Sequence, residues 1–211
     1  MPVPGFFVVV EGPEGSGKST LVRGLAARMA SSGTEPVVVR EPGGTSVAES
    51  VRRALLEADH AVSPIAELFL FLAARADLTA QVIRPALAGG LVVLADRFTL
   101  SSEIYQVVGR GLDRELVLAG NAAATGGLRP DLTLVLDLPA GVGRSRQEAA
   151  GKVMDRLDRE SAVFHERICQ AYVAVTGPGM VHLDGSAPAD RLLEAAWEAV
   201  QAGRPDLWRK S

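Results

Sequence analysis

The chain of 211 residues has a single cysteine, Cys169, so it can form neither an intramolecular disulfide nor a cysteine-based zinc site. Such a chain is expected in a reducing, cytoplasmic interior, with the cysteine read as a small buried hydrophobe on a helix. An excess of one charge is also missing: 22 Lys and Arg against 25 Asp and Glu give a formal net charge of −3. That balance argues against a nucleic-acid or membrane-surface partner, and any anion site must be a local cluster. No hydrophobic run is long enough to span a bilayer. The apolar stretch Met1 to Val10 is about half a span, is interrupted by Glu11 and has no positive leader, so neither a targeting nor a transmembrane segment is expected. Repeats, low-complexity tracts and linkers are absent, and 22 Gly with 12 Pro is ordinary for a turn-rich protein. One compact domain over 1–211, large enough for an enzyme core, is the expectation.

Short apolar runs rich in β-branched residues lie at Phe6 to Val10, Pro36 to Val39, Leu91 to Ala95, Leu132 to Leu136 and Met180 to Leu183. They barely alternate, the pattern of strands buried on both faces. Helical spacing fills the intervals: Lys18 to Ser31, Val47 to Glu57, Pro64 to Ala88, Asp113 to Thr125, Val142 to Ala150, Ser161 to Val175 and Pro188 to Ala202. The Gly43-Gly44, Gly89-Gly90 and Gly126-Gly127 pairs read as turns. Such alternation predicts an α/β fold with a five-stranded parallel sheet flanked by helices in three layers, and ligands bind at the carboxyl ends of such strands.

The first strand exit carries Gly12-Pro13-Glu14-Gly15-Ser16-Gly17-Lys18-Ser19, followed by Thr20 at the start of a helix. This is GxxxxGK[ST], a phosphate-binding loop. Its glycines let amide N–H groups converge on a phosphate, and the helix N-terminus adds its positive end. Lys18 would reach the β- and γ-phosphates and Ser19 would ligate Mg²⁺. By chance the pattern should arise in about one in a hundred chains of this length, and the strand before it makes chance rarer.

That loop alone does not separate GTPases, motor ATPases and small-molecule kinases. The second strand exits into Arg40-Glu41-Pro42-Gly43-Gly44-Thr45. The third exits into Asp96-Arg97-Phe98-Thr99-Leu100-Ser101-Ser102, then Tyr105-Gln106 and Gly109-Arg110-Gly111. Three arginines, Arg40, Arg97 and Arg110, are therefore expected to converge at the strand ends, where planar guanidinium forks could hold two anionic substrates together. Singly, each could equally be a surface ion pair.

In these loops, in Phe71 with Arg75, and in Asp155-Arg156-Leu157-Asp158-Arg159-Glu160, the chain resembles the thymidylate kinase family from Phe7 to about Tyr172. The resemblance implies a single P-loop kinase domain that phosphorylates dTMP to dTDP with ATP and Mg²⁺, a step in dTTP synthesis. It implies that Phe71 stacks on thymine and Arg75 hydrogen-bonds O4. The i, i+4 spacing agrees, since it puts an aromatic platform and a cationic donor on one helix face. By the same resemblance Arg97 bridges the donor and acceptor phosphates, Asp96 helps to organise Mg²⁺, Arg40 meets the acceptor phosphate, and Glu14 lies near the dTMP sugar and phosphate. Ser102, Tyr105 and Gln106 fall close to the base and sugar, with Tyr105 favouring deoxyribose. A homodimer is implied too, and Pro64 to Ala88 has enough apolar positions to supply its face.

The chain departs from the family pattern twice. Phe98 stands where a tyrosine is usual, and the lid at about 143–157 is thin in positive charge. Arg146 is the candidate transition-state arginine, with Lys152 or Arg156 as substitutes, and Gly143 and Gly151 bracket the segment and would suit a mobile lid that closes over ATP. Transfer to an ionised phosphate needs no general base, and His60, His165 and His182 all fall outside the motif loops. Two rival readings are a deoxynucleoside kinase with Glu41 as base and a nucleotide-dependent switch or assembly ATPase. An Asn-Lys-x-Asp guanine reader does not occur.

Overall fold

Short unalternating runs separated by amphipathic segments favour parallel pairing, because each strand then re-enters the sheet through a helix. The computed structural model describes residues 5–57 and 61–208; the expectation for His60 lies outside them. The five runs form β1 (Phe6–Glu11), β2 (Val37–Arg40), β3 (Val92–Asp96), β4 (Leu132–Asp137) and β5 (Met180–Asp184). Every pairing is parallel, in the order β2-β3-β1-β4-β5. The helices are α1 (Lys18–Ser31), α2 (Ser46–Leu56), α3 (Pro64–Leu78), α4 (Arg84–Ala88), α5 (Thr99–Ser102), α6 (Arg114–Thr125), α7 (Val142–Ala149), α8 (Ala162–Ala174) and α9 (Ala189–Gly203). Side-chain caps on Thr45, Asp113 and Ser161 start α2, α6 and α8.

Central β1 supplies both cores by its period of two. Phe6, Val8 and Val10 pack with Leu25 and Met29 of α1 and with Trp197 and Val200 of α9. Phe7 and Val9 face the other way, towards Leu78, Ile83 and Phe98. Each such side chain contributes roughly 1.5–3 kcal/mol on burial, which anchors the strand that carries the phosphate loop.

Two expectations are corrected. The edge strands β2 and β5 are only partly covered, with Val38 50% exposed, because the helices cover the three central strands most completely. The segment Pro64 to Ala88 is not one helix: a π-helical turn, Thr79–Ile83, separates α3 from α4. Pro85 has no N–H for the ladder, and the wider turn precedes it. A second π-helical segment, Glu103–Gly109, follows α5 and carries Tyr105 and Gln106.

The register levels the strand exits. Val10 pairs with Asp96, which also pairs with Arg40, so Glu11, Arg40 and Asp96 emerge side by side on the rim where the helix-opening loops begin.

Candidate active site

Gly12, Gly15 and Gly17 adopt positive φ in the loop between β1 and α1, a backbone path that other residues take at a cost. At Gly15 the constraint is steric as well, since a Cβ would collide with the backbone of Gly143. Gly143 in turn abuts the Glu14 carbonyl. It is therefore a close-packing residue at the start of α7, while Gly151, at the other end of the segment, has positive φ and open space. The Lys18 ammonium donates to Gly12 O (2.9 Å), Pro13 O (2.7 Å) and Ser16 Oγ (3.4 Å). Burial first, and then the Arg97 charge, bring its pKa down to about 8. Next to it, Ser19 Oγ donates to Asp96 Oδ2 at 2.7 Å. A hydroxyl and a carboxylate held together at a phosphate loop suit Mg²⁺, which takes few protein oxygens and fills its shell with phosphate and water.

The third exit is strained. Arg97 has φ 75, the one non-glycine with positive φ among the described residues. Its turn is clamped from beneath by Glu11, which is fully buried and to which sequence reasoning assigned no role. Glu11 Oε1 accepts from the backbone N–H groups of Phe98 (2.8 Å) and Ser101 (3.1 Å). Oε2 accepts from Ser101 Oγ (2.7 Å) and Tyr172 OH (3.0 Å). The Arg97 guanidinium then contacts Ser101, Tyr172, Glu14 (3.1 Å) and Tyr105. The Tyr105 hydroxyl donates to the Glu14 carboxylate at 2.6 Å. Burial, then the neighbouring Glu14 charge, outweigh Arg97 and keep that phenol neutral, well above its ordinary pKa. Burial would raise Glu14, but Arg97 and Lys18 outweigh it and hold the carboxyl below its usual range.

The far end of the cleft is built from α3, whose residues Glu67, Phe71 and Arg75 form a stripe at i, i+4 and i+8. Phe71 and Arg75 both line the cleft. Arg75 is 1% exposed and makes four hydrogen bonds and an ion pair. Nε meets Glu41 (2.8 Å), Nη1 meets Ser102 (2.8 Å) and Asn121 (2.7 Å), and Nη2 meets Phe98 O (3.0 Å) and Glu41 Oε2 (2.7 Å). Glu41 Oε1 is left buried without a partner, and burial raises this carboxyl despite Arg75. Gln106 lines the cleft and donates to Glu67 at 2.9 Å.

Of the three arginines expected to converge, Arg40 and Arg97 line the cleft and Arg110 does not. Arg110 is held by Glu67 and Glu160 instead. Its place is taken by Arg52 of α2, which donates to Pro42 O at 3.0 Å. Sequence reading missed Arg52 because its helix carries no motif. Arg40 pairs with Glu49 at the cleft mouth. Arg146 is turned away from the cleft, donating to the carbonyls of Gly185 (2.7 Å) and Ser186 (3.2 Å). In the segment expected to form a lid, Lys152 and Asp155 line the cleft. His165 approaches Glu14 at 3.9 Å, and His182 is held by Asp137 and the Val175 carbonyl. Thr20 faces solvent at the start of α1, accepting from Arg23.

A family model described as thymidylate kinase matches residues 10–195. A thymidylate kinase from Pseudomonas putida (strain GB-1) is 51% identical over 170 residues, covering 80% of each chain. One from Geobacter sulfurreducens is 45% identical over 181 residues, covering 82% of this chain and 84% of that one. One from Thermosynechococcus vestitus is 40% identical over 215 residues, covering 95% and 89%.

Proposed function

This chain belongs to the thymidylate kinase family and phosphorylates dTMP, and we propose that it does so in the cleft described above, with ATP as donor and Mg²⁺ as the metal. The observation that carries this assignment is continuity. Asp96 touches Ser19 at the phosphate loop, and the next residue, Arg97, touches Glu14 and Tyr105, which share a wall with Phe71 and Arg75. One short turn thus joins a triphosphate end to a pyrimidine end.

Ser19 and Asp96 would hold Mg²⁺, which supplies charge neutralisation at the phosphates when bound. Lys18 exchanges the loop carbonyls for phosphate oxygens. Arg97 lies against both halves of the cleft and holds the acceptor phosphate in line, with Arg40 and Arg52 as further cations near that phosphate. The acceptor oxygen is already ionised, so no side chain removes a proton, and rate depends on positioning and electrostatics. Phe71 offers a face to thymine, Ser102 and Gln106 border the base, and Tyr105 with Glu14 borders the sugar. Glu41 is tied to Arg75 and therefore supports the base pocket, which disfavours its use as a base toward a nucleoside hydroxyl.

The lid at about 143–157 closes over the donor, with Lys152 already facing the cleft. A homodimer forms through α3 and α6. Leu72 packs over Gly120 between them, and Ile65, Phe69 and Leu116 stay exposed alongside. The enzyme works in the cytoplasm; among the described residues no helix is long and apolar enough to cross a membrane.

The test is ADP release with Mg-ATP and dTMP, dUMP, thymidine, CMP, AMP or no acceptor, the product being checked by mass. Release with dTMP and more weakly with dUMP is expected, and EDTA should stop it. Thymidine as the preferred acceptor would make Glu41 a base after all, and acceptor-independent release would return the switch or motor reading.

A further inference from the structure

Glu67 is the most crowded carboxylate outside the phosphate end. It is 0% exposed on the first turn of α3 and lies one and two stripe positions from Phe71 and Arg75. Its Oε1 accepts from Gln106 Nε2 (2.9 Å) and Arg110 Nε (3.0 Å). Its Oε2 accepts from Arg110 Nη2 (3.0 Å) and Arg156 Nη2 (2.5 Å). A carboxylate has about four lone-pair sites, so this one has no spare capacity.

The donors come from different parts of the site. Gln106 is a wall of the acceptor end of the cleft. Arg156 belongs to the segment after α7, between the cleft-lining residues Asp155 and Leu157. That segment is fastened to the end of α2 as well, by Arg156 Nε to Leu55 O (2.8 Å) and Arg156 N to Leu56 O (3.1 Å). Arg110 reaches on to Glu160 at 2.6 Å, so both ends of the stretch 156–160 are held by the Glu67 cluster. Within the stretch, buried Asp158 takes Lys152, the lid cation that faces the cleft, at 2.7 Å. Two carboxylates and two guanidiniums balance in charge, and burial of Glu67 is outweighed by its arginine bonds, which keep it ionised.

We infer that Glu67 is a positioning residue that couples the acceptor pocket to the lid, because a single saturated carboxylate holds both the pocket wall through Gln106 and the lid base through Arg156. The inference rests on the acceptor reading of this cleft. Any shift of Gln106 as a base enters is felt at Oε1, and the response available to the carboxylate is to re-aim Oε2 and with it Arg156 and the residues on either side. Occupation of the pocket thereby fixes Asp155, Leu157 and, through Asp158, Lys152.

Hydrogen exchange of the full chain with and without dTMP, together with steady-state kinetics, tests this. In the wild type, dTMP should slow exchange both in the Glu103–Gly109 segment and across 152–160. In Glu67→Gln, saturating dTMP should still protect 103–109 but no longer 152–160, with kcat down about 10-fold or more and a smaller change in the KM for dTMP. Arg156→Lys keeps the charge but loses the fork to Leu55 and Glu67, and gives the same separation should Glu67→Gln fold poorly. A purely structural Glu67 would lower the unfolding midpoint while leaving both the exchange pattern and kcat of the folded protein intact. That result in both variants, beside a wild type that turns over dTMP, overturns the coupling alone. A wild type that does not turn over dTMP overturns the acceptor reading and the coupling with it.

Discussion

Glu11 offers the sharpest test of how the strained Arg97 turn is kept. Its two oxygens have separate duties: Oε1 serves two backbone N–H groups and Oε2 serves two hydroxyls. In Glu11→Ala the hydroxyls can turn towards each other, since Ser101 Oγ and Tyr172 OH are already 3.3 Å apart. The Ser101 N–H keeps a second acceptor, Phe98 O at 3.2 Å, but the buried Phe98 N–H has no other partner among the described residues and cannot turn. With that one buried donor left unpaired, the loss is roughly 1–3 kcal/mol, a sizeable share of the ~5–15 kcal/mol typical of a domain. The turn would also be freer to relax, because the clamp no longer opposes the ~1–3 kcal/mol of strain at Arg97. Displacement of that guanidinium by about 1 Å is enough to lower kcat on the order of 100-fold. Glu11→Gln should behave differently. Its carbonyl can replace Oε1, and its amide can donate to the two hydroxyls, which accept as readily as they donate, so a loss of about 1 kcal/mol is expected. Urea unfolding and steady-state kinetics on both variants decide the matter. Equal destabilisation of the two, within about 0.5 kcal/mol, would refute the clamp.

Lys18 should impose a pH dependence of definite sign. Its pKa in the free enzyme is about 8, so the ammonium that attracts phosphate is lost as pH rises through 8, while bound phosphate holds the proton on. The kcat/KM for ATP should therefore fall above about pH 8 while kcat persists to higher pH, and a flat kcat/KM to pH 9.5 would remove the role. Tyr105→Phe should raise the KM for dTMP several-fold by loosening Glu14 and Arg97 yet keep discrimination against ribonucleotides, whereas Tyr105→Ala should lose it. Paired kcat/KM values for deoxy and ribo acceptors check this. Arg75→Ala should do more than weaken pyrimidine binding: it leaves Glu41 buried without its cation, at about 3–5 kcal/mol by urea unfolding. Arg75→Lys should recover part of that stability, because three donors replace five.

The strands and the phosphate loop were legible because both are written in local pattern: β-branched runs at sheet spacing, and glycines at fixed offsets before Lys18. The five strands fall within a residue of their sequence boundaries. Misread features depend on what lies opposite. Pro64 to Ala88 has unbroken helical spacing, but Pro85 acts through a missing N–H whose effect appears several residues earlier as the π-helical turn. The exposure of Val38 reflects strand order, and no residue in β2 records that it sits at the edge. Glu11 was visible as the last residue of a strand, but its four donors come from 87 to 161 positions away. Arg52 could have been suspected only from the pattern of α2, in which a cation faces the same way as the cleft-facing Leu56 four positions on.

Arginines show why the cleft was harder to read than the fold. Composition gives their number and loops suggest their neighbourhood, but function depends on where the partners of each guanidinium lie relative to the cleft. Arg75 is walled in by Glu41, Ser102, Asn121 and Phe98 O, Arg110 is divided between Glu67 and Glu160, and Arg146 is held by two carbonyls of the turn after β5. Arg97 differs in place: it lines the cleft together with three of its partners, Glu14, Ser101 and Tyr105, while the fourth, Tyr172, is buried behind it. A buried guanidinium needs an acceptor for nearly every N–H, so the pairing alone does not separate them, and what does is whether, and at which end, the guanidinium lines the cleft. The cations proposed for phosphate are Arg40, Arg52 and Arg97 beside Lys18, all of which line the cleft. The dense carboxylate–guanidinium pairing at Glu41 and Glu67 fixes the walls against which those four act.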